Sequence, residues 1–263
     1  MVDEIARYNK GRWEELAEAN IEFSRPFLDL NPGKAREVID PEGILGKVNG
    51  LDVLCLASGG GQQSAAFGLL GANVTVLDLS ETQLERDVEA AEHYSLDIQT
   101  VQGDMRDLSH FEDDSFDVVW NGHSLGFIPN AQDVLREVAR VVRPGGRFRL
   151  TYYNPFFHGV DNESWDGESF HLPGGSLYAD SEVLYPDPRW SFQGTDGVRK
   201  SIAGPREFRH KLSTVMNGLI GLGFVILGFW ETTSDESDPE PGSWEHFKSV
   251  APPYITLWAV YRP

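Results

Sequence analysis

Short apolar runs separated by turn residues recur along the chain, and most of them are followed by an amphipathic stretch. Runs of this kind, bounded by glycine, proline and asparagine, predict buried β-strands. Strands that alternate with helices predict an α/β fold with a doubly wound, mostly parallel sheet. The predicted strands are residues 52–56, 73–77, 98–102, 116–120, 147–153, 224–231 and 254–261.

A helical period of apolar residues marks several of the intervening segments. Ser80 is placed to cap one helix, with Gln83 as its capping-box partner. Helices are predicted at residues 12–23, 133–143 and 205–222, after the glycine turn at 59–61, and after Ser80. Residues 154–203 show no helical period and are rich in glycine, proline and aromatic residues, which predicts loops and a short hairpin.

Composition limits the classes of function. The 263 residues are 40% hydrophobic and 24% charged, which is typical of one large soluble domain. The apolar run 219–230 is too short to span a bilayer, and no signal-peptide pattern precedes it, so a cytoplasmic protein is expected. One cysteine, Cys55, excludes an internal disulfide, and the net charge of −19 disfavours nucleic acid as a substrate.

The most informative segment is residues 51–80, which reads as strand, glycine turn, helix and strand. Glycine lets the backbone approach a ligand closely, and the helix that follows presents unpaired N–H groups. The second strand ends in Asp78, where a carboxylate can accept hydrogen bonds from two ribose hydroxyls. This order predicts a site for a nucleoside-bearing cofactor.

Several motifs accompany that segment: the turn A-S-G-G-G-Q-Q, G-D-M after the third strand, F-D-V-V-W in the fourth, and L-R-E-V-A-R-V-V-R-P-G-G-R-F before the fifth. Together they resemble class I S-adenosylmethionine-dependent methyltransferases, nearest to the small-molecule branch that includes ubiquinone and menaquinone biosynthesis enzymes. The resemblance is good over residues 51–153 and looser to the terminal strand. It implies a Rossmann-like seven-stranded sheet of order 3-2-1-4-5-7-6 with strand seven antiparallel. It also implies S-adenosylmethionine as cofactor and S-adenosylhomocysteine as product.

The resemblance also implies roles for individual residues. The turn against the methionine moiety and ribose comprises Ala57, Ser58, Gly59, Gly60 and Gly61. Asp78 would bind the ribose, Leu79 would lie beside the adenine, and Gln83 would complete this part of the cofactor site. The family often has an acid at the position of Cys55 and a glycine at the position of Ala57, so the turn departs from the usual pattern there.

Two further strand ends complete the implied cofactor site. Asp104 would accept a hydrogen bond from the adenine amino group, and Met105 would pack on the ring. Asn121, at the end of the fourth strand, would lie near the methionine portion. No metal site is predicted.

Methyl transfer from a sulfonium is an in-line displacement, so the protein must mainly align the reactants and exclude water. A general base is needed only for a protonated acceptor. His123 is the candidate base by position, and a loop histidine that packs locally is the alternative. Tyr152, Tyr153 and Trp13 are predicted to line the pocket of a small-molecule acceptor.

We expect a single domain with an N-terminal helical cap (1–49), a cofactor-binding core (50–153), an insertion that acts as a substrate lid (154–203) and a C-terminal helix with two strands (204–263). The insertion's rings would line the lid or form the core of a small subdomain. They are Phe156, Phe157, Trp165, Phe170, Tyr178, Tyr185, Trp190 and Phe192.

The sequence leaves several alternatives open. A non-catalytic S-adenosylmethionine-binding protein is one, and a nicotinamide-dependent oxidoreductase is a weaker one. A protein or RNA acceptor is also possible, with RNA the weaker of the two because no basic groove is evident. Either a monomer or a homodimer is expected.

Overall fold

A computed structural model describes residues 3–154, 164–171, 179–185, 187–193 and 198–263. The first four strands follow the predicted positions closely, whereas the fifth begins at Val142 rather than at residue 147. Among the described residues, four short strands separate the first five from the last two. The strands are β1 (Asp52–Leu56), β2 (Asn73–Asp78), β3 (Ile98–Gln102), β4 (Phe116–Gly122), β5 (Val142–Tyr153), β6 (Ser181–Glu182), β7 (Arg189–Gln193), β8 (Arg199–Ala203), β9 (Phe208–Arg209), β10 (Phe224–Glu231) and β11 (Tyr254–Tyr261).

Seven of these strands form one sheet in the order β10-β11-β5-β4-β1-β2-β3. The pairs from β3 to β5 are parallel. β11 is antiparallel to both β5 and β10. This confirms the expected order 3-2-1-4-5-7-6, with β11 as strand seven. The carboxyl ends of β1, β2, β3 and β4 therefore meet at one edge, where ligands bind in doubly wound sheets.

The helices cover both faces of the sheet. They are α1 (Glu4–Glu18), α2 (Pro32–Ile39), α3 (Gln63–Leu69), α4 (Glu81–Tyr94), α5 (Ala131–Val141), α6 (Leu212–Gly221) and α7 (Trp244–Val250). The Ser80 hydroxyl accepts a hydrogen bond from the Gln83 N–H at 3.3 Å, so Ser80 caps α4 as predicted. The predicted capping-box role of Gln83 is wrong, because the Ser80 N–H donates to Asp78 Oδ1 instead. No helix among the described residues is long and apolar enough to cross a membrane.

Successive residues of a strand point to opposite faces of the sheet, so each strand contributes to two hydrophobic layers. Leu54 and Leu56 of β1 face the layer formed with α5 and α6, together with residues such as Phe148 and Leu150. Val53 and Cys55 face the opposite layer, formed with α2 and α3. Because both faces are covered, the central strands are apolar throughout.

Some predicted boundaries are wrong. The first helix spans Glu4–Glu18 rather than 12–23, because the Asp3 carboxylate caps it by accepting from the Ala6 N–H at 2.8 Å. The helix predicted at 205–222 begins only at Leu212, since Phe208–Arg209 pairs as β9 with β6. α2 was not predicted, and α7 occupies part of the expected loop 232–253.

The hairpin expected within residues 154–203 is present. β7 and β8 pair in antiparallel register, from Arg189 opposite Ala203 to Gln193 opposite Arg199. The predicted lid residues Phe156, Phe157 and Tyr178 lie outside the described residues. Trp190 of the hairpin is half-buried.

Candidate active site

The turn after β1 has a backbone that needs glycine. Gly60 and Gly61 have φ of 126° and 70°, which L side chains rarely adopt. A Cβ on Gly61 would also lie 2.4 Å from the backbone oxygen of Arg86. Ala57 has φ of 47°, a left-handed conformation that its side chain makes unfavourable.

A buried carboxylate on α4 holds this turn. The Gly60 N–H donates to Asp87 Oδ2 at 3.0 Å, and the Gly61 N–H donates to Oδ1 at 3.1 Å. The Ser64 hydroxyl, in the first turn of α3, donates to Oδ1 as well. Asp87 has no exposed surface. Burial raises its pKa to about 7 against the opposing effect of these donors, and the charge of Asp78 adds to the rise.

Asp78 ends β2 with its carboxylate half-buried at the sheet edge. Its Oδ2 accepts from the Gly59 N–H and its Oδ1 from the Ser80 N–H, each at 2.9 Å. Burial raises the pKa of Asp78, while these backbone donors lower it. Each oxygen keeps acceptor capacity for another donor. The neighbouring Leu79 is half-buried, and its carbonyl accepts from Gln102 Nε2 at 3.3 Å.

Two buried side-chain oxygens at this edge accept no hydrogen bond from any described residue: Gln83 Oε1 and Asn121 Oδ1. Asn121 is oriented by its amide nitrogen, which donates to the Leu56 carbonyl at 2.8 Å. Gln83 Oε1 lies beside the turn, 3.4 Å from where a Cβ of Gly60 would be. A buried acceptor without a donor is costly, so both atoms are suited to a ligand rich in N–H and O–H groups.

Asp104, predicted to bind adenine, is engaged within the protein. Its carboxylate accepts from Arg106 Nη2 at 2.6 Å and from Nε at 3.0 and 3.1 Å. Arg106 Nη1 donates at 2.8 Å to Asp3, which caps α1. The Asp104 carboxylate is therefore tied to the start of the N-terminal helix. Met105 is buried, and its sulfur lies 3.9 Å from the Asn121 amide nitrogen.

The loop after β4 holds His123 and Ser124. The His123 N–H donates to the Thr151 carbonyl at 2.8 Å, and φ is 62°. The ring is in edge contact with Tyr254, with centroids 4.6 Å apart. Reduced hydration and the charge of Arg149 lower the pKa of His123. The residue is exposed, so water offsets part of this shift, but its direction leaves the ring neutral at neutral pH.

Ser124 links the exit of β4 to the turn after β1. Its hydroxyl donates to the Ala57 carbonyl and lies 3.0 Å from the Gly122 carbonyl. Ser58 is also buried, and its hydroxyl donates to the Leu56 carbonyl at 3.0 Å.

The two tyrosines predicted for the acceptor pocket lie on opposite faces of the sheet. Tyr152 is 2% exposed and belongs to the layer that includes Leu150 and Ile255. Tyr153 is half-buried, with its ring 5.6 Å from that of Tyr254. Successive strand residues alternate between faces, so only Tyr153 shares a face with Tyr254.

Four rings from distant segments form an aromatic box: Trp13, Phe23, Phe127 and Trp190. Trp13 lies 5.1 Å from Phe127 and 5.7 Å from Trp190, and Phe23 lies 5.8 Å from Trp190. These pairs are edge-to-face, a favourable arrangement of rings. The Phe23 carbonyl accepts from Gln62 Nε2, directly after the glycine turn, at 3.2 Å. The box therefore joins α1, the loop after β4 and the β7–β8 hairpin beside the turn.

The structure brings the turn residues, Asp78, Gln83 and Asn121 together at one edge, whereas Trp13 contacts the other rings of the aromatic box. The sequence reasoning missed Asp87, Ser124 and Arg106. Asp87 did give a signal, because a carboxylate stands in the buried stripe of α4 between Leu84 and Ala91. A separate cavity of about 580 Å³ opens near the start of β2, lined by Asp52, Asn73 and Phe116 among others. It lies at the opposite edge of the sheet and is not part of this site.

Comparison with known proteins agrees with this geometry. Residues 54–150 match a family described as a methyltransferase domain. The chain is 39% identical over 186 residues to the uncharacterized methyltransferase YbaJ of Bacillus subtilis (strain 168), covering 70% of this chain and 69% of that protein. A ubiquinone biosynthesis O-methyltransferase of Aeromonas salmonicida (strain A449) is 30% identical, over 57% of this chain and 61% of its own length.

A solved structure supports the fold. An S-adenosylmethionine-dependent methyltransferase from Mesorhizobium loti has a TM-score of 0.66 at 22% identity, and the match covers 89% of this chain and all of that one. The fold and the site define a Rossmann-like methyltransferase. The chain belongs to the methyltransferases, and it has the fold of the S-adenosylmethionine-dependent class. The oxidoreductase and the non-catalytic alternatives are therefore set aside.

Proposed function

We propose that this enzyme methylates a small molecule, held between the edge of the sheet at β1–β4 and the aromatic box. The observation that carries the proposal is the joining of the box to the glycine turn through the Phe23 carbonyl and Gln62. Rings from α1, the β4 exit and the hairpin wall that side, where they can exclude water from the reaction. The net charge of −19 disfavours an RNA acceptor.

The residues present fit the cofactor. S-adenosylmethionine offers ribose hydroxyls, an ammonium group and an adenine amino group as donors, and it supplies a methyl group already activated on sulfonium sulfur. Asp78 is placed to accept from the ribose hydroxyls. The buried oxygens of Gln83 and Asn121 accept no hydrogen bond within the described residues, so they are available to donors of this kind. Met105 is buried beside Asn121, which supports an apolar contact between its side chain and the adenine.

Asp104 has a more limited role than the resemblance implies. Its two oxygens already accept from Arg106 at three distances of 3.1 Å or less. We propose that Asp104 and Arg106 together fix the loop beneath the adenine, while Asp3 ties α1 to it. The segment 1–49 then acts as the cap of the site and residues 154–203 as its lid.

The chemistry expected of the acceptor side is modest. His123 is neutral at neutral pH, so it can take the proton released by a phenolic or ammonium acceptor. Burial raises the pKa of Tyr153 well above its usual value, so its hydroxyl stays protonated and can donate a hydrogen bond to the acceptor. The cytoplasmic location and the choice between monomer and homodimer stay predictions.

The test is calorimetric titration with S-adenosylmethionine, S-adenosylhomocysteine and NAD. Wild type is expected to bind the first two in the micromolar range and not NAD. Asp78→Ala is expected to lose about 1.5–3 kcal/mol of binding free energy, the scale of hydrogen bonds to a charged group. Asp97→Ala, an exposed acid before β3, is the matched control and should bind normally. An Asp78→Ala variant that binds as tightly as wild type would refute the proposed site.

A further inference from the structure

The glycine turn is held by the carboxylate of Asp87, which has no assigned role in binding the cofactor or in methyl transfer. Two consecutive amide N–H groups, of Gly60 and Gly61, and the Ser64 hydroxyl all donate to Asp87. The two oxygens of the carboxylate divide these donors, with Oδ2 bonded to Gly60 and Oδ1 to the other two. The arrangement fixes the orientation of two successive peptide planes in a left-handed turn.

Asp87 is fully buried, and burial of a charge is unfavourable unless donors compensate for it. Here three donors face the carboxylate, and they favour its ionised form because a carboxylate accepts at both oxygens. The opposing effects of burial and of these donors leave its pKa near neutrality, at about 7.

Two titratable groups on neighbouring strands interact electrostatically with Asp87. The Asp78 carboxylate of β2 opposes its ionisation. Cys55 of β1 has a pKa well above its usual value and is a neutral thiol. Arg25 and Arg86, on the flanking segments, direct their guanidinium groups to the Asn20 carbonyl and to Glu89.

We propose that Asp87 is a positioning residue, and that its ionised form sets the glycine turn in the conformation that binds the cofactor. The inference rests on the proposed position of the cofactor against this turn. When Asp87 is protonated, one oxygen becomes a donor and is a poor acceptor for a glycine N–H. The turn then loses part of its orientation, and cofactor affinity falls.

Ionisation of Asp87 with rising pH has opposite effects on the stability of the fold and on cofactor binding. The folded-state pKa of Asp87 lies above that of an unfolded carboxyl, about 3.9. The folded state therefore holds a proton that the unfolded state has lost, and stability falls as pH rises from about 4 to 7. Binding of the cofactor strengthens over the upper part of the same range, because ionised Asp87 orders the turn.

The experiment is titration with S-adenosylhomocysteine between pH 5.5 and 8.5, on wild type, Asp87→Asn and Ser64→Ala. Wild type is expected to bind about 10-fold more tightly at pH 8 than at pH 6. Asp87→Asn should bind at all pH values about as weakly as wild type does at pH 6, and its midpoint of thermal unfolding should depend less on pH. Ser64→Ala removes a donor that lowers the pKa of Asp87, so its profile should move to higher pH.

Glu85→Gln, an exposed acid on the same helix, is the matched control and should follow wild type. The proposal is overturned if Asp87→Asn keeps both the affinity and the pH profile of wild type, or if Ser64→Ala leaves the profile in place. If Asp87→Asn fails to fold by circular dichroism, the shift in Ser64→Ala decides. If wild type itself binds no S-adenosylhomocysteine, the proposed cofactor site fails instead.

Discussion

The two sides of the site are built by different means. The cofactor side consists of backbone N–H groups bonded to carboxylates: Gly59 donates to Asp78 at the end of β2, and Gly60 donates to Asp87 on α4. The acceptor side consists of rings from segments far apart in the chain, such as Trp13, Phe127 and Trp190. The cofactor side is therefore held by directional hydrogen bonds to the backbone, whereas the acceptor side is held by packing between side chains.

This difference predicts different tolerance to change. A backbone turn permits little variation, because φ values and peptide orientations are set together. Packed rings can be replaced one at a time, since each ring pair contributes only about 0.5–1.5 kcal/mol. The cofactor side should therefore be fragile in stability, and the acceptor side should be adaptable in specificity.

The largest expected effect is on the cofactor side, from Gly61→Ala. The new Cβ would meet the Arg86 carbonyl oxygen at 2.4 Å, and φ is 70°. We expect a loss of about 3–5 kcal/mol in the free energy of unfolding, measured by urea denaturation. Gly145→Ala, with φ of 85° and no atom within 4 Å, is the control and should lose only about 1 kcal/mol. Equal losses would mean that the close approach to α4 is unimportant.

An intermediate effect is expected on the acceptor side, from Trp190→Ala. The change removes contacts with three rings, each worth about 0.5–1.5 kcal/mol. We expect kcat/KM for the methyl acceptor to fall about 10-fold, while the Kd of S-adenosylhomocysteine changes less than twofold. Trp190→Phe should keep most of the activity. A parallel loss of cofactor affinity would show that the two sides are not separable.

The smallest effect is a gain in stability, from Ala57→Gly. Ala57 has φ of 47°, which costs an L residue about 1–2 kcal/mol and which glycine adopts without this cost. The greater entropy that glycine gives the unfolded chain offsets part of the gain. We expect a net increase of about 0.5–1 kcal/mol, seen as a higher midpoint of thermal unfolding. Ala65→Gly, in α3, should move the midpoint in the opposite direction. A decrease in Ala57→Gly would mean that the methyl group stabilises the turn through packing.

The contrast between the two sides also explains what the sequence could predict. The glycine turn and Asp78 follow from local patterns, because strand, turn and acid are adjacent in the chain, whereas the strand order came from the resemblance to a family. The aromatic box could not be predicted, since it depends on where residues 13, 127 and 190 meet after folding. The ion pair between Asp104 and Arg106 was not predicted, because pairing of side chains within a loop leaves no periodic signal in the sequence.

Errors at the element ends have similar causes. The helical period continues through residues 205–222, but Phe208 and Arg209 form β9 and pair with β6, so the helix begins only after them. At the end of β5, Tyr152 and Tyr153 point to opposite faces, which the predicted strand 147–153 already required, so the assignment of both tyrosines to one pocket was inconsistent with it.

The position of Cys55 has a practical consequence. It is the one cysteine in the chain, fully buried in β1, and its thiol has a pKa far above the usual value. Surface thiolates are the nucleophiles that attack maleimide and disulfide reagents, so the folded enzyme should behave as though it had no cysteine. A thiol introduced at Val198, which is 58% exposed beside β8, would then be the only one that reacts. A dye placed there would report movement of the hairpin without any prior removal of the native cysteine.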